Sequence, residues 1–232
     1  MSARYVELMG SLLMTVLPLA LGAAVSPTLL ALQLLVLTGT THRLARAWAL
    51  ALGATLTLGI FSVLCVTALS RIRPHHEAHK SAGEAAVLLV SGVLLAAVAI
   101  RSLFHRPTAG EQHSSKIAQR LTTAPTAWFL GVGAVGMLVN FSTLLLVLPA
   151  VHEITHSSAD TASKAVVFAV MFVIVLLPVL VPVLLVTVLG TGADRTLDAT
   201  HAWVTRNGRT IGTIIEGVFA VYLVVKGLRA LP

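Results

Sequence analysis

Two stretches at matching points of the chain's halves echo each other. Ser91–Leu103 reads SGVLLAAVAIRSL, and Glu216–Leu228 reads EGVFAVYLVVKGL. Each opens on a polar residue before Gly-Val, runs apolar for about two helical turns, and closes on a base and a leucine. A weaker echo precedes each: GAAVSPTLL from Gly22 against GMLVNFSTL from Gly136. Each half carries three long apolar runs, so the second copy enters the membrane from the opposite face. Inverted repeats of this kind frame central sites in transporters, because two pseudo-symmetric halves can rock around them. The expectation is an all-α integral membrane protein of six transmembrane helices, arranged as two inverted three-helix repeats. Residues 1–104 form the first repeat, 105–125 a polar connecting loop and 126–232 the second, with helices one and four interrupted.

Composition supports this class. Of 232 residues 56% are hydrophobic and 11% charged, against roughly 25% charged in a soluble domain. Aromatics are scarce, and no alternating ten-residue pattern of an outer-membrane barrel is visible. The net charge of +7 is scattered in pairs among short loops, where bases meet lipid phosphate rather than nucleic acid. A single cysteine, Cys65, lies inside an apolar run, so neither a disulfide nor a CxxC pair can form. The start looks like a signal peptide, but its apolar run resumes at Thr28 and continues to Leu37, which reads as a retained helix. Counting bases by loop parity gives nine on one side and seven on the other. That narrow margin places both termini outside and the central loop in the cytoplasm of a multi-pass inner-membrane protein.

The first run, about Leu8 to Leu37, is too long for one straight helix across about 30 Å of hydrocarbon, and Ser26-Pro27 sits in its middle. Runs two and three cover about Ala45–Leu69 and Ala85–Leu103. Run four, about Trp128–Ala150, is interrupted at Asn140. Run five, about Ala165–Leu189, carries Pro178 and Pro182, and run six covers about Thr210–Val225. The segment from Gly190 to Arg209 reads as an amphipathic loop lying along the interface.

Several residues could carry chemistry. A proline break at Ser26-Pro27 frees carbonyls that must face protein or a wet cavity; it either marks a binding site or merely shapes packing. Asn140 is the matching polar group in the second half, and Gln33, two turns beyond Pro27, is similarly placed. Pro178 and Pro182 point to a fifth helix that gates. Glu216 stands among Ile214, Ile215, Val218 and Phe219. A carboxylate there costs about 2.5–3.5 kcal/mol at helix centre, so it either cycles a proton during transport or pairs with Arg209 near the interface. Arg43 and Arg46 offer a contact for an anionic headgroup or a positive-inside anchor. His152-Glu153-Ile154-Thr155-His156 is a literal HExxH, which on a helix could hold zinc beside a general base. It falls at the end of an apolar run with no evident third ligand, so a metallopeptidase is disfavoured and no enzyme activity or cofactor is expected. His75, His76 and His79, with Glu77, could join His152 and His156 around a divalent ion at one mouth, although the spacing fits no defined site.

The chain resembles the LysE superfamily of six-helix exporters, and within it the glycolipid- or sulfolipid-addressing (GAP) family. The residues that carry the likeness are LALGAAVSP (Leu19–Pro27), HRLARAWALALG (His42–Gly53), Ser91–Leu103, LPVLVP (Leu177–Pro182), LDATHAWVTRN (Leu197–Asn207) and the closing Gly217 and Lys226-Gly227-Leu228. One departure matters: the superfamily's Asn-Pro-Lys in the fourth helix is here Asn140-Phe141-Ser142. The resemblance implies transport of an envelope lipid or glycolipid, or of its precursor, by alternating access, with membrane lipids and envelope-lipid synthesis or export proteins as partners and a homo-oligomer as an option. A small-solute or divalent-metal exporter and a non-transporting scaffold for envelope assembly are the competing classes.

Overall fold

The computed structural model describes residues 2–39, 42–71, 77–104 and 124–231. Among them every regular element is helical. The order is α1 (Ser2–Ala24), α2 (Pro27–Leu37), α3 (Arg43–Arg71), α4 (Glu77–Phe104), α5 (Thr126–Val139), α6 (Phe141–His156), α7 (Thr161–Leu189), a 3-10 turn (Gly190–Ala193) and α8 (Asp194–Arg229). Glu7–Ala24 of α1, Arg43–Ser70 of α3, Ala85–Phe104 of α4, α7 and Arg195–Arg229 of α8 are each long and apolar enough to cross a membrane. The pair α5–α6, bent by 70° at Asn140, makes a sixth crossing if it counts as one span.

The two interruptions form differently. Pro27 sits at the first position of α2, where its missing N–H costs nothing. Ser26 takes an extended conformation before it, and its Oγ accepts from the Leu29 amide at 3.3 Å. The result separates the first apolar run into a span-length α1 and an 11-residue α2, which at about 16 Å is too short to cross alone. Asn140 breaks the fourth run with no proline. Its amide reaches Met137 O, its ψ of 66° leaves the helical region, and its side chain does not cap α6. That side chain bonds sideways instead, to Ser26 and Thr143.

Packing depends on close approach. A Cβ added to Gly53 would lie 2.0 Å from Leu130 O, and one on Gly133 would lie 2.0 Å from Leu50 O. The backbones of α3 and α5 therefore touch, as small residues permit in membrane helix pairs. Gly92 against Val224 and Gly227 against Leu89 do the same for α4 and α8. The α7 start is fixed by Asp160, whose Oδ2 accepts from the Ala162 and Ser163 amides. Hydrogen bonding from Ser163 holds that carboxyl below its usual range.

One expectation fails. The segment Gly190–Arg209 is not a loop: after one 3-10 turn, α8 runs 36 residues without interruption, about 54 Å. The apolar positions that suggested an interfacial strip are its packing stripe, with Ala193, Leu197, Val204 and Gly208 buried against the bundle. The helix continues through Pro178 and Pro182 in α7 as well.

Gly133→Val should lower the thermal midpoint of the detergent-purified protein by at least several degrees, since overpacking costs about 1–3 kcal/mol or more. Gly131→Ala, with nothing near its added methyl, should leave it unchanged.

Candidate functional site

The two helix breaks meet. Asn140 Nδ2 donates to Ser26 Oγ at 2.8 Å and to Thr143 Oγ1 at 2.6 Å, and Thr143 Oγ1 donates to Ala23 O at 2.9 Å. Ser26, Asn140 and Thr143 are 4%, 9% and 2% exposed. One of the carbonyls freed where α1 ends is thus satisfied from α6, and the Asn140 amide from α2. Both short helices begin here, so two positive N-terminal ends converge on one place.

Beside this junction opens a cleft of about 850 Å³. Its floor is Asn140, Ser142 and Glu216, the last on α8. The Ser142 hydroxyl donates to Asn140 Oδ1 at 3.2 Å, and the Glu216 carboxyl stands beside it in the lining. Glu216 Oε2 is buried and has no partner among the described residues. One wall is α2, with Pro27, Ala31, Leu32 and Leu35; the other is α8, with Val204, Gly208 and Gly212. The α8 wall can come this near because a Cβ on Gly208 would already lie 2.9 Å from Pro27 Cβ. Arg101, Arg209 and His201 also line it and make one end basic. Arg209 Nε donates to Ser102 O at 3.0 Å, which caps the last carbonyls of α4, and the Ser102 and Thr213 hydroxyls lie 2.8 Å apart. The cleft is therefore cationic at its mouth, apolar along its walls, and polar with one carboxyl at its floor.

The structure gathers Ser26, Pro27, Asn140, Ser142 and Glu216 around this junction and places the other expected residues elsewhere. Gln33 is fully buried against α3, where Nε2 donates to Ala47 O at 3.3 Å. Arg43 and Arg46 do not line the cleft. Arg46 is buried, donates through Nη2 to Ala124 O at 2.9 Å, and lies over the Phe129 ring at 5.2 Å. It ties Ala124, just before α5, to α3. Pro178 and Pro182 line a second cavity on the far side of α2.

The HExxH residues occupy the last turns of α6. His152 and His156 stack with centroids 4.3 Å apart, and Glu153 forms an ion pair with Lys226 of α8. Among the described residues no three His, Cys, Asp or Glu side chains gather as a metal site. His75 and His76 lie outside the described residues, and His79 falls within the first turn of α4.

Sequence reasoning missed Thr143 and the basic mouth. Arg101 and Arg209 flank apolar runs and read as orientation charges, Arg209 also as a partner for Glu216. The available signal was the repeat itself, which closes on Arg101 in one copy and Lys226 in the other.

A family model described as "Sap, sulfolipid-1-addressing protein" matches residues 16–229. The chain belongs to this family. The match covers every element from the middle of α1 to the end of α8, including both breaks and the whole cleft. No curated protein and no solved structure matches the chain.

Removing one member of the Glu153–Lys226 pair should leave a half-buried charge unpaired. Lys226→Met is expected to cost about 1–2 kcal/mol in detergent unfolding. Adding Glu153→Gln to it should restore most of that loss.

Proposed function

We propose that this chain moves an anionic envelope lipid or glycolipid, or its precursor, across or out of the cytoplasmic membrane by alternating access. The observation that carries the reading is the cleft, with cations at its mouth, apolar walls, and two helix N-termini at its floor. Arginine pairs with an oxyanion such as a sulfate or phosphate through charge-assisted hydrogen bonds, and the converging N-termini favour the same charge. The apolar walls suit the hydrocarbon of an amphiphile better than a free inorganic ion. The family description names a sulfolipid, and a sulfolipid's head is anionic, as this lining requires.

The inverted-repeat reading gives the motion. Under it α1–α2 corresponds to α5–α6, α3 to α7, and α4 to α8. The packing is consistent: α2 rests on α7 and α8, and α6 rests on α3 and α4. The counterpart bases also separate, Arg101 lying at the cleft mouth and Lys226 ten residues beyond Glu216, about 15 Å further along α8. In this reading the Glu153–Lys226 pair closes the opposite end while the cleft is open, and its separation opens that end in the alternate state.

Glu216 supplies coupling. A seated oxyanion and the Glu216 carboxylate compete for the same N-terminal amides and for Ser142. Proton uptake by Glu216 removes the repulsion when the head arrives, and proton release helps expel it.

Lipid analysis of a deletion strain tests the transport reading. A surface lipid absent while its precursor accumulates inside is expected, and an unchanged lipid profile on both sides contradicts it. In proteoliposomes Arg101→Gln should reduce transport about tenfold, the worth of one charge-assisted hydrogen bond. Glu216→Gln should flatten the dependence of rate on pH; an unaltered pH profile removes the proton role.

A further inference from the structure

The second cavity, about 440 Å³, lies between α2, α7 and the beginning of α8. Its lining is apolar apart from Thr196 and Thr200, and the Thr200 hydroxyl is already taken up by Thr196 O at 2.7 Å. Such a space inside a membrane protein suits hydrocarbon and rejects water, which needs two or more polar partners.

Its placement relative to the cleft is specific. Leu30 and Leu34 of α2 face this groove, while Ala31, Leu32 and Leu35 face the cleft. At one end Ala24 lines the groove and its neighbour Val25 lines the cleft. On the 3-10 turn and α8 the groove takes residues from Gly192 to Thr200 and the cleft those from His201 to Glu216, so the two adjoin at Thr200 and His201. Along α2 the two spaces therefore run side by side with that helix as the partition, the cleft carrying the cations and the carboxyl and the groove almost wholly apolar. The partition is tight where Pro27 meets Gly208 and Gly212, near the breaks. Along α7 the groove extends from Leu177 to Leu189, about 18 Å at 1.5 Å per residue, close to the ~15 Å of one hydrocarbon leaflet.

We infer that the groove between α2, α7 and α8 holds a hydrocarbon chain of the same amphiphile whose anionic head lies in the cleft across α2. This rests on the lipid-transport reading and deepens it. The head follows the polar track past Arg209 towards Asn140, and the chain follows the parallel apolar track past Leu185 towards Ala24. The link between them crosses where Thr200 and His201 adjoin, about 10 Å along α8 from the Pro27–Gly208 contact. Neither part then has to pass through a medium of the wrong polarity. The shared α2 partition and the junction at Thr200 and His201 account for a second cavity that a small polar solute would not use.

Two photoreactive hexadecyl phosphates test this on the full-length protein in phosphatidylcholine nanodiscs. One carries its diazirine near the phosphate and the other near the end of the chain. The head probe is expected to label cleft residues such as Thr205 and Thr213. The tail probe is expected to label Leu30, Leu34 and Leu185. Val181→Trp, which fills the groove from a position 42% exposed, should reduce tail labelling at Leu30 and Leu34 at least fivefold while head labelling of the cleft persists. Arg209→Gln should reduce both. Head labelling without groove labelling overturns the groove alone, and failure of both overturns the lipid reading beneath it. A hexadecanol probe labelling the groove as strongly as the phosphate means that bulk chains fill it, and that also overturns the inference. The two wild-type labelling patterns decide the matter even if a variant fails to fold.

Discussion

Two helices that stop in the middle of a bundle leave amides and carbonyls that lipid cannot satisfy. The Asn140–Ser26 hydrogen bond is the solution on which the remaining architecture depends. It joins the start of α6 to the start of α2, and through Thr143 it reaches the end of α1. Held there, α2 stands as a wall with a cleft on one face and a groove on another. Without the junction, α2 would be a frayed continuation of α1 and neither space would have a boundary.

The rest of the bundle holds that junction by close packing rather than by charge. Glycines at 53, 133, 92 and 227 let α3 meet α5 and α4 meet α8 at backbone distance, which is how membrane helices associate when burial of apolar surface gives little net gain. Polar groups are spent sparingly and at ends. Arg46 holds Ala124, Arg209 holds the last turn of α4, and Lys226 holds Glu153. The HExxH sequence belongs to this class in the described structure: its glutamate is engaged by a lysine and its histidines stack on each other.

Much of the helix layout was readable because apolar runs in a membrane protein are long and few. Both interruptions were readable too, one from a proline and the other from an asparagine. The hydrogen bond between them was not, since Ser26 and Asn140 lie 114 residues apart and only the tertiary fold aligns them. The polar half of α8 was read as a loop because its charges mask a stripe of Leu197, Val204 and Gly208 that packs on the bundle. Arg43 and Arg46, which follow the first broken helix, read either as an anionic-headgroup contact or as a positive-inside anchor. That logic placed bases by order along the chain, whereas Arg46 turns towards Ala124 and Phe129, and Arg101 and Arg209 from later segments supply the mouth.

A double-mutant cycle on Ser26→Ala and Asn140→Ala, read by unfolding of the purified protein and by binding of an alkyl phosphate, addresses the junction most directly. If the two side chains act as one contact, the double variant should be hardly worse than Asn140→Ala alone, with coupling of about 0.5–2 kcal/mol in stability and a matching non-additivity in binding. Strictly additive losses in both readouts would show that the breaks are independent, and that the cleft does not owe its floor to their meeting.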